Sequence, residues 1–439
     1  AVAAFWLAVW VLMAGFVAQP LILPGPGAVV VALLRLVCDA GTWAILAGSG
    51  ARILGGLALA AVCGGVLAGV SVRSLTFARL VAPALSFVKA TPVACVVVLL
   101  LIWLGSARVS IAAVFLMALP GVYFSLVEGL TQADKPLEQM FRLHGVRGWR
   151  LFCAHTWREV LPFVLSCARA VIGMSWKAGV AAELIGMATD TVGERIYQAK
   201  LLIETADLLA WTVLVVAASW ACERVLVWLL RVSGPVAWRA AVRAHGHGLR
   251  GRTGAASDGA AAELALAVGD RAPWSPALDG LVLHVPAGGR TCVMGASGVG
   301  KSTLLALVAG ECAPCSMVFQ DVRLVEDASA LDNVLACADA RVNASSAAAL
   351  LRLLVPGIDV HARVAELSGG QRRRVEIARA LLCPGGAVIL DEPFTGLDIA
   401  ARDACTEVVL DLLDGRMLLL ATHDSADARA LNISDIITL

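Results

Sequence analysis

The pattern of hydrophobic and polar residues divides the chain into two unlike halves. Residues 1 to about 232 are dominated by Ala, Val, Leu, Ile, Trp and Gly, whereas charged residues concentrate after Arg231. A membrane-spanning helix needs about 20 mainly apolar residues, and six stretches of the first half meet this requirement. They lie at about 1–18, 51–71, 80–104, 109–130, 159–187 and 207–230. The first half is therefore predicted to be an all-α polytopic membrane domain.

The first apolar stretch could also be a cleaved signal peptide. It lacks the basic segment that precedes the apolar part of such a peptide, so a membrane span is the preferred interpretation.

Basic residues gather in two of the predicted loops, at about 72–79 and 131–158. They are Arg73, Arg79, Lys135, Arg142, Arg147, Arg150 and Arg158. Because short cytoplasmic loops carry the excess of Lys and Arg, the N-terminus is predicted to be cytoplasmic. Everything after the sixth span is then cytoplasmic as well.

Composition agrees with a membrane protein. The 439 residues are 59% hydrophobic and 16% charged, with a mean hydropathy of +0.81, whereas a soluble domain carries about 25% charged residues. The net charge of +1 gives no reason to expect a nucleic acid as partner. The twelve cysteines are scattered, with Cys312 and Cys315 as the one close pair. A zinc or redox site would need a second pair or a thioredoxin-like context, and the sequence shows neither, so the cysteines are expected to be packing residues in a reducing compartment.

A basic junction separates the two halves. Its arginines are Arg231, Arg239, Arg243, Arg250 and Arg252. Such a stretch beside a last span is expected to lie against anionic lipid head groups, with a regulatory role as the alternative. The change in composition predicts a membrane domain at 1–232, a cytoplasmic linker at 233–258 and a second domain at 259–439.

The first motif of the second half is a phosphate-binding loop. Residues 290–294 form a short β-rich run, residues 295–303 match G-x-x-x-x-G-K-[ST], and a helical run follows. Lys301 would neutralise phosphate charge and Ser302 would bind Mg²⁺. The predicted ATP contacts here are Gly295, Ser297, Gly298, Val299, Gly300, Lys301, Ser302 and Thr303.

Two carboxylates follow an apolar strand. Residues 387–390 lead directly into Asp391 and Glu392. Asp391 is suited to Mg²⁺, and Glu392 to general-base activation of the attacking water. The alternative is a pair of surface acids at the end of a strand.

The motif order from about residue 263 to 439 resembles that of the ABC transporter ATPases, which implies an α/β P-loop NTPase domain of ABC type. Phe319 and Gln320 resemble the Q-loop, residues 367–371 (LSGGQ) the signature, residues 395–398 the D-loop, and residues 420–424 the switch-histidine strand. The resemblance implies catalytic roles for Lys301, Gln320, Glu392 and His423, and a Mg²⁺ site at Ser302, Gln320 and Asp391. It also implies nucleotide contacts at Ser368, Gly369, Gly370, Gln371 and Asp398.

The chain departs from the family pattern at two places. Only 18 residues separate Lys301 from Gln320, so the small β-hairpin that usually follows the phosphate-loop helix is expected to be missing. The aromatic residue that would stack on adenine is the second departure. Trp274 is the candidate, with ordinary packing as the alternative.

The membrane half resembles bacterial import permeases. The stretch from Trp176 to Glu183 is similar to the W-K-x-G-x-x-A-E segment of the nitrate, sulfonate and taurine permease group. The loop with Glu138, Gln139 and Met140 resembles the coupling loop of import permeases, although Gly145 lies one position late. An amphipathic helix on a membrane surface is the alternative for this loop.

Three ionisable residues lie within predicted spans: Lys89, Lys177 and Glu183. Intramembrane charges are expensive, so these residues are expected either to line a substrate path or to tie helices together.

These resemblances imply half of an ATP-driven type I importer. Two identical chains would form two composite ATP sites, with Mg²⁺ as cofactor, in the inner membrane of the cell. A separate external solute-binding protein would deliver a small anion such as nitrate, a sulfonate or taurine. The alternatives are half of an ABC exporter, and a nucleotide-binding membrane regulator with weak ATPase activity.

Overall fold

The computed structural model describes residues 2–17, 19, 21–244, 264–267, 278 and 281–439. The chain forms two compact units. The first contains Ala1–Ala133 and Glu159–Ser233, and the second contains Asp134–Arg158 and Gly234–Leu439. The segment 134–158, which the sequence places in a loop between two spans, therefore belongs to the same unit as the nucleotide-binding motifs.

The described residues up to 243 are helical almost throughout. The helices are α1 (Val2–Val17), α2 (Pro26–Cys38), α3 (Ala40–Arg73), α4 (Leu75–Ala90), α5 (Val93–Leu104), α6 (Ser106–Gln132), α7 (Lys135–Leu143), α8 (Gly148–Leu151), α9 (Trp157–Gly186), α10 (Val192–Leu201) and α11 (Thr205–Arg243). A π-helical stretch, Phe152–Thr156, joins α8 to α9.

The described helices supply four continuous candidate spans where the sequence predicts six. They are Ala40–Arg73, Ser106–Gln132, Gly148–Gly186 and Thr205–Arg243. The predicted span at 80–104 is broken: α4 and α5 meet at an angle of 103°, and the pair is either one bent span, which would be the fifth, or a re-entrant loop. Pro92 explains the break, because it lacks an N–H and disfavours helix at the preceding residue. The predicted first span is a shorter apolar helix of 16 residues, α1.

Small residues let the helices of the first unit approach closely. A Cβ atom added to Gly56 of α3 would lie 2.5 Å from the carbonyl oxygen of Ile111 in α6, and one on Gly179 would lie 2.5 Å from Ile53 Cγ1. Helix packing in membranes relies on such small residues.

Glu183 shows how the first unit handles an intramembrane charge. Its side chain is fully buried, accepts a hydrogen bond from Ser49 Oγ at 2.9 Å, and pairs with Arg52 Nε at 3.2 Å. These contacts tie α9 to α3, as the helix-pairing interpretation predicts. Lys89 and Lys177 are exposed.

Helix α11 extends beyond its predicted end. It continues to Arg243, so the first part of the predicted linker is helical. Arg250 and Arg252 lie outside the described residues.

A five-stranded parallel sheet forms the centre of the second unit, with strand order β4-β5-β6-β3-β7. A separate antiparallel pair is formed by β1 and β2. The strands are β1 (Leu264–Ala267), β2 (Val282–Val285), β3 (Arg290–Met294), β4 (Ser316–Val318), β5 (Ala387–Asp391), β6 (Met417–Thr422) and β7 (Asp435–Thr438).

Helices connect the parallel strands, which confirms the α/β class of this domain. They are α12 (Lys301–Glu311), α13 (Ala330–Leu335), α14 (Ala344–Leu354), α15 (Gly369–Leu382), α16 (Ile399–Leu412) and α17 (Ser425–Ala430). Only residues 312–315 separate α12 from β4, and they contain no strand. This described stretch therefore does not contain the small β-hairpin that usually follows the phosphate-loop helix in the family.

Helix α7 is amphipathic, and its apolar face is buried in the second unit. Asp134 caps its N-terminus by accepting from the backbone N–H of Leu137 at 3.0 Å. Met140 and Phe141 are buried in the hydrophobic cluster that also contains the strands of the parallel sheet. The alternative of an apolar face lying on lipid therefore does not describe this helix. Gly145 ends it with φ +81°, a left-handed conformation that glycine adopts without strain.

Candidate functional site

The parallel sheet gathers the predicted catalytic segments at one edge. The carboxyl ends of parallel strands point the same way, and ligands of such sheets bind there. The register pairs Asp391 with Ala421 and Met294 with Thr422. The phosphate loop follows β3, and Gln320 lies just after β4. Glu392 follows β5 and His423 follows β6, so these four segments share this edge.

The phosphate loop has the backbone that the motif requires. Gly298 and Gly300 have φ of +83° and +113°, which residues with a Cβ adopt only with strain. A Cβ on Gly295 would lie 2.9 Å from Val299 Cγ1. Ser297 lies in the same turn, and Thr303 lies in the first turn of α12. The helix N-terminus is suited to an anionic phosphate.

Lys301 is folded back on its own loop. Its Nζ donates to the carbonyl oxygens of Gly295 at 2.8 Å and Ala296 at 3.0 Å, and only 6% of the residue is exposed. Phosphate oxygens could replace these two acceptors without leaving the ammonium group unsatisfied.

Oxygen donors for a divalent cation converge beside the loop. Ser302, Gln320 and Asp391 line one cavity, together with Met317 and Phe319. Burial raises the pKa of Asp391, while a hydrogen bond with Ser302 opposes that shift. Carboxylate, hydroxyl and amide oxygens are the ligands that Mg²⁺ prefers, so the residues present fit the predicted ion.

Glu392 and His423 are neighbours. Glu392 has φ +47° and donates its backbone N–H to the carbonyl oxygen of Ala421 at 2.9 Å. Its Oε1 lies 3.4 Å from Nδ1 of His423, which is exposed. A carboxylate and an imidazole in contact can position a water and hold its proton.

The signature forms a separate group. Ser368 caps α15: its Oγ accepts from the N–H of Gln371 at 3.3 Å, while Gln371 Oε1 accepts from the N–H of Ser368 at 2.9 Å. A Cβ on Gly370 would lie 3.6 Å from the carbonyl oxygen of Gly396, so the signature lies beside the predicted D-loop. Gly369 is the first residue of α15.

Asp398 of the predicted D-loop caps α16 by accepting from the N–H of Ala401 at 2.8 Å. Among the described residues, no hydrogen bond or ion pair joins residues 368–371 or Asp398 to Lys301, Glu392 or His423. Trp274, the predicted adenine contact, lies outside the described residues.

The sequence reasoning missed a buried charge network behind Gln320. Arg373 donates to the carbonyl oxygens of Phe319 and Gln320 and pairs with Glu376 at 3.0 Å. Arg379 also pairs with Glu376, at 3.4 Å. The three residues lie three positions apart on α15, a spacing that brings side chains together on a helix. This spacing of charged residues on a predicted helix was the sequence feature that could have indicated the network.

Arg323 connects this network to α7. Its backbone N–H donates to Glu376 Oε1 at 3.2 Å, and its Nη1 donates to Pro136 O at 3.2 Å and Gln139 Oε1 at 3.4 Å. Gln139 also lines the cavity of Ser302, Gln320 and Asp391. No sequence pattern marked Arg323.

Two family profiles match the chain, one in each half. A profile described as "ABC transporter" matches residues 278–395, and one described as "Binding-protein-dependent transport system inner membrane component" matches residues 61–236.

Named relatives match the second half. The chain is 36% identical over 175 residues to an aliphatic sulfonates import ATP-binding protein of Rhizobium johnstonii, covering 34% of this chain and 64% of the relative. It is 36% identical over 176 residues to the protein of that name in Escherichia coli strain K12, covering 35% of this chain and 68% of the relative. The chain thus spans about two thirds of each relative's length.

A solved dimeric structure of a bacterial ABC transporter cassette is also similar. It is 25% identical and matches 37% of this chain and 86% of the cassette, with a TM-score of 0.34.

Proposed function

The chain belongs to the ABC transporter family, and from that premise we propose that it is half of an ATP-driven importer acting as a homodimer. The observation that carries the proposal is the convergence of Lys301, Asp391, Glu392 and His423 at one sheet edge, in a chain whose first half matches an importer permease profile.

ATP is the proposed substrate of this site. Lys301 exchanges its contacts with Gly295 and Ala296 for phosphate oxygens. Glu392 accepts the proton of the attacking water, and His423 holds the water and the terminal phosphate in position. Ser302, Gln320 and Asp391 would hold Mg²⁺, which would neutralise charge at the phosphates when bound.

The proposed active site is shared between two chains. The signature group, Ser368 to Gln371 with Asp398, makes no hydrogen bond or ion pair with the catalytic residues in the described part of one chain. The N-terminus of α15 is instead available for a phosphate from outside. A second identical chain supplies that nucleotide, and each chain completes the other's site.

The segment 134–158 is proposed to transmit ATP hydrolysis to the permease. Gln139 of α7 lines the same cavity as Gln320 and Asp391. Arg323 donates hydrogen bonds to Pro136 and Gln139, so a movement of the Q-loop would displace α7.

The proposed direction is import of a small anion such as an aliphatic sulfonate, taurine or nitrate. The permease profile and the names of the relatives support this direction and substrate class. A separate solute-binding protein delivers the solute, and the site of action is the inner membrane, with the ATPase in the cytoplasm. In the described part of the chain, four helices are long and apolar enough to cross a membrane, which supports this location.

Uptake into proteoliposomes tests the proposal. Vesicles carrying the full chain are loaded with ATP and Mg²⁺. Labelled taurine is added outside, together with the solute-binding protein whose gene lies nearest to the gene of this chain. We expect uptake that requires both internal ATP and the external protein. ATP-driven movement in the opposite direction without a binding protein would identify an exporter. Nucleotide binding with neither turnover nor movement of solute would identify a regulator.

A further inference from the structure

Three potential metal ligands meet inside the second unit, and none of them is among the predicted nucleotide contacts. His144 follows the last residue of α7, Cys337 lies just after α13, and Cys383 follows α15. One ligand atom from each lies within 4.8 Å of the others. The three residues are only 2%, 2% and 4% exposed. Among the described residues this is the one such cluster.

The donor set is soft. Thiolates and imidazole bind Zn²⁺ and Cu⁺, whereas Mg²⁺ and Ca²⁺ prefer oxygen. The thioether sulfur of Met140 lies 3.1 Å from Nδ1 of His144, which adds a fourth soft atom next to the cluster. Four-coordinate Zn²⁺ with Zn–S and Zn–N distances of about 2.3 and 2.0 Å holds its ligand atoms roughly 3.5 Å apart. A modest contraction of the cluster would meet that geometry.

The imidazole has a partner that can fix its orientation. Nε2 of His144 lies 3.2 Å from the carbonyl oxygen of Met317 in β4 and also 3.2 Å from the backbone nitrogen of the same residue, whose N–H points to it. In the tautomer with the proton on Nδ1, Nε2 accepts from the Met317 N–H; binding of an ion at Nδ1 requires the other tautomer, in which Nε2 donates to the Met317 carbonyl oxygen. Metal-binding histidines characteristically donate their other ring N–H in this way.

Arginines hold the backbone beside each of the two cysteines. Arg150 donates from Nη2 to the carbonyl oxygen of Ala336, the residue before Cys337, at 2.8 Å. Arg416 Nη1 lies 3.5 Å from the carbonyl oxygen of Cys383. These hydrogen bonds restrict the movement of the backbone that carries the two proposed ligands.

We propose that Cys337, Cys383 and His144 bind one thiophilic d¹⁰ cation, Zn²⁺ or Cu⁺. Each thiol releases its proton when the ion binds. The ligands come from the residue after α7 and from the ends of two ATPase helices, so the ion cross-links the segment 134–158 to the ATPase. This role adds to the proposed transport function and does not depend on it.

Metal titration of the purified full chain tests the site. The reduced protein in detergent is titrated anaerobically with Zn²⁺ alone and with Cu⁺ alone, and bound metal is measured by elemental analysis after gel filtration. We expect one equivalent of at least one of the two ions per chain. The Cys337→Ala variant should lose this equivalent. The control is Cys405→Ala, which removes a buried cysteine outside the cluster and should retain it.

Cys383→Ala is a second variant in case Cys337→Ala does not fold. Binding of neither ion to the reduced wild-type chain would overturn the proposal. Equal binding by wild type, Cys337→Ala and Cys383→Ala would overturn it too, because the ion would then be held elsewhere. A disulfide between Cys337 and Cys383, found by mass spectrometry of the protein as isolated under anaerobic conditions, would also count against the metal site.

Discussion

Arg323 of the ATPase donates from Nη1 to Oε1 of Gln139 in α7, at 3.4 Å. The same guanidinium lies 3.7 Å above the ring of Phe319, so one side chain contacts both the Q-loop and the segment that the sequence resemblance identifies as the coupling loop. Arg323 is therefore a proposed link between the segment of Gln320 and α7.

Arg323→Ala should uncouple transport from hydrolysis. A hydrogen bond contributes about 1 kcal/mol, so the solute transported per ATP hydrolysed should fall roughly fivefold, while ATP turnover changes less. Parallel assays of uptake and phosphate release in proteoliposomes measure this ratio. Arg341→Ala removes an exposed arginine and serves as the control. An unchanged ratio would remove Arg323 from the proposed route.

Glu392→Gln should abolish turnover while keeping nucleotide binding. A general base contributes about 10²- to 10⁴-fold, and glutamine keeps the size of the side chain without its basicity. Phosphate release and fluorescent-nucleotide binding measure the two effects. Glu407→Gln, an exposed position on α16, should behave as wild type. ATPase activity within twofold of wild type would contradict the assignment of Glu392.

Mixed dimers should show that the signature acts on the partner's nucleotide. Chains with Lys301→Ala and chains with Ser368→Arg should each be inactive alone. In a mixed dimer one site combines the two defects, whereas the other has an intact phosphate loop and an intact signature. We therefore expect partial recovery of ATPase activity when differently tagged chains are co-expressed and purified through both tags. No recovery would favour a site completed within one chain.

Glu376→Leu should destabilise the ATPase unit. Glu376 is fully buried between Arg373 and Arg379, and its loss leaves two buried guanidinium groups without a carboxylate. Breaking a buried ion pair in this way costs about 3–5 kcal/mol. A thermal-unfolding midpoint measured in detergent should fall by several degrees, and that of Glu407→Leu should change little. Equal midpoints for both variants would show that the buried network does not stabilise the fold.

Local patterns in the sequence were sufficient for the elements of the site. The phosphate loop depends on glycines that tolerate positive φ, and Gly298 and Gly300 adopt it. The acidic strand is apolar until Asp391, and the structure makes it a buried strand of the parallel sheet. Such features are readable because each is set by residues close together along the chain.

The number of spans was harder to predict. Pro92 separates α4 from α5 at 103°, yet prolines inside other helices, such as Pro120 in α6, do not interrupt them. Hydropathy cannot distinguish the two cases, since the outcome depends on whether neighbouring helices satisfy the freed backbone groups.

By itself, the sequence determined the membrane character of the first half, the α/β class of the second and the identity of the ABC motifs, because apolar run length and motif spacing are local properties. Only the tertiary structure decided that α7 packs with the ATPase, that Arg323 contacts Gln139, and that His144 meets Cys337 and Cys383. These contacts join residues far apart in the chain, and they exist because the apolar face of α7 is buried with the sheet's hydrophobic cluster.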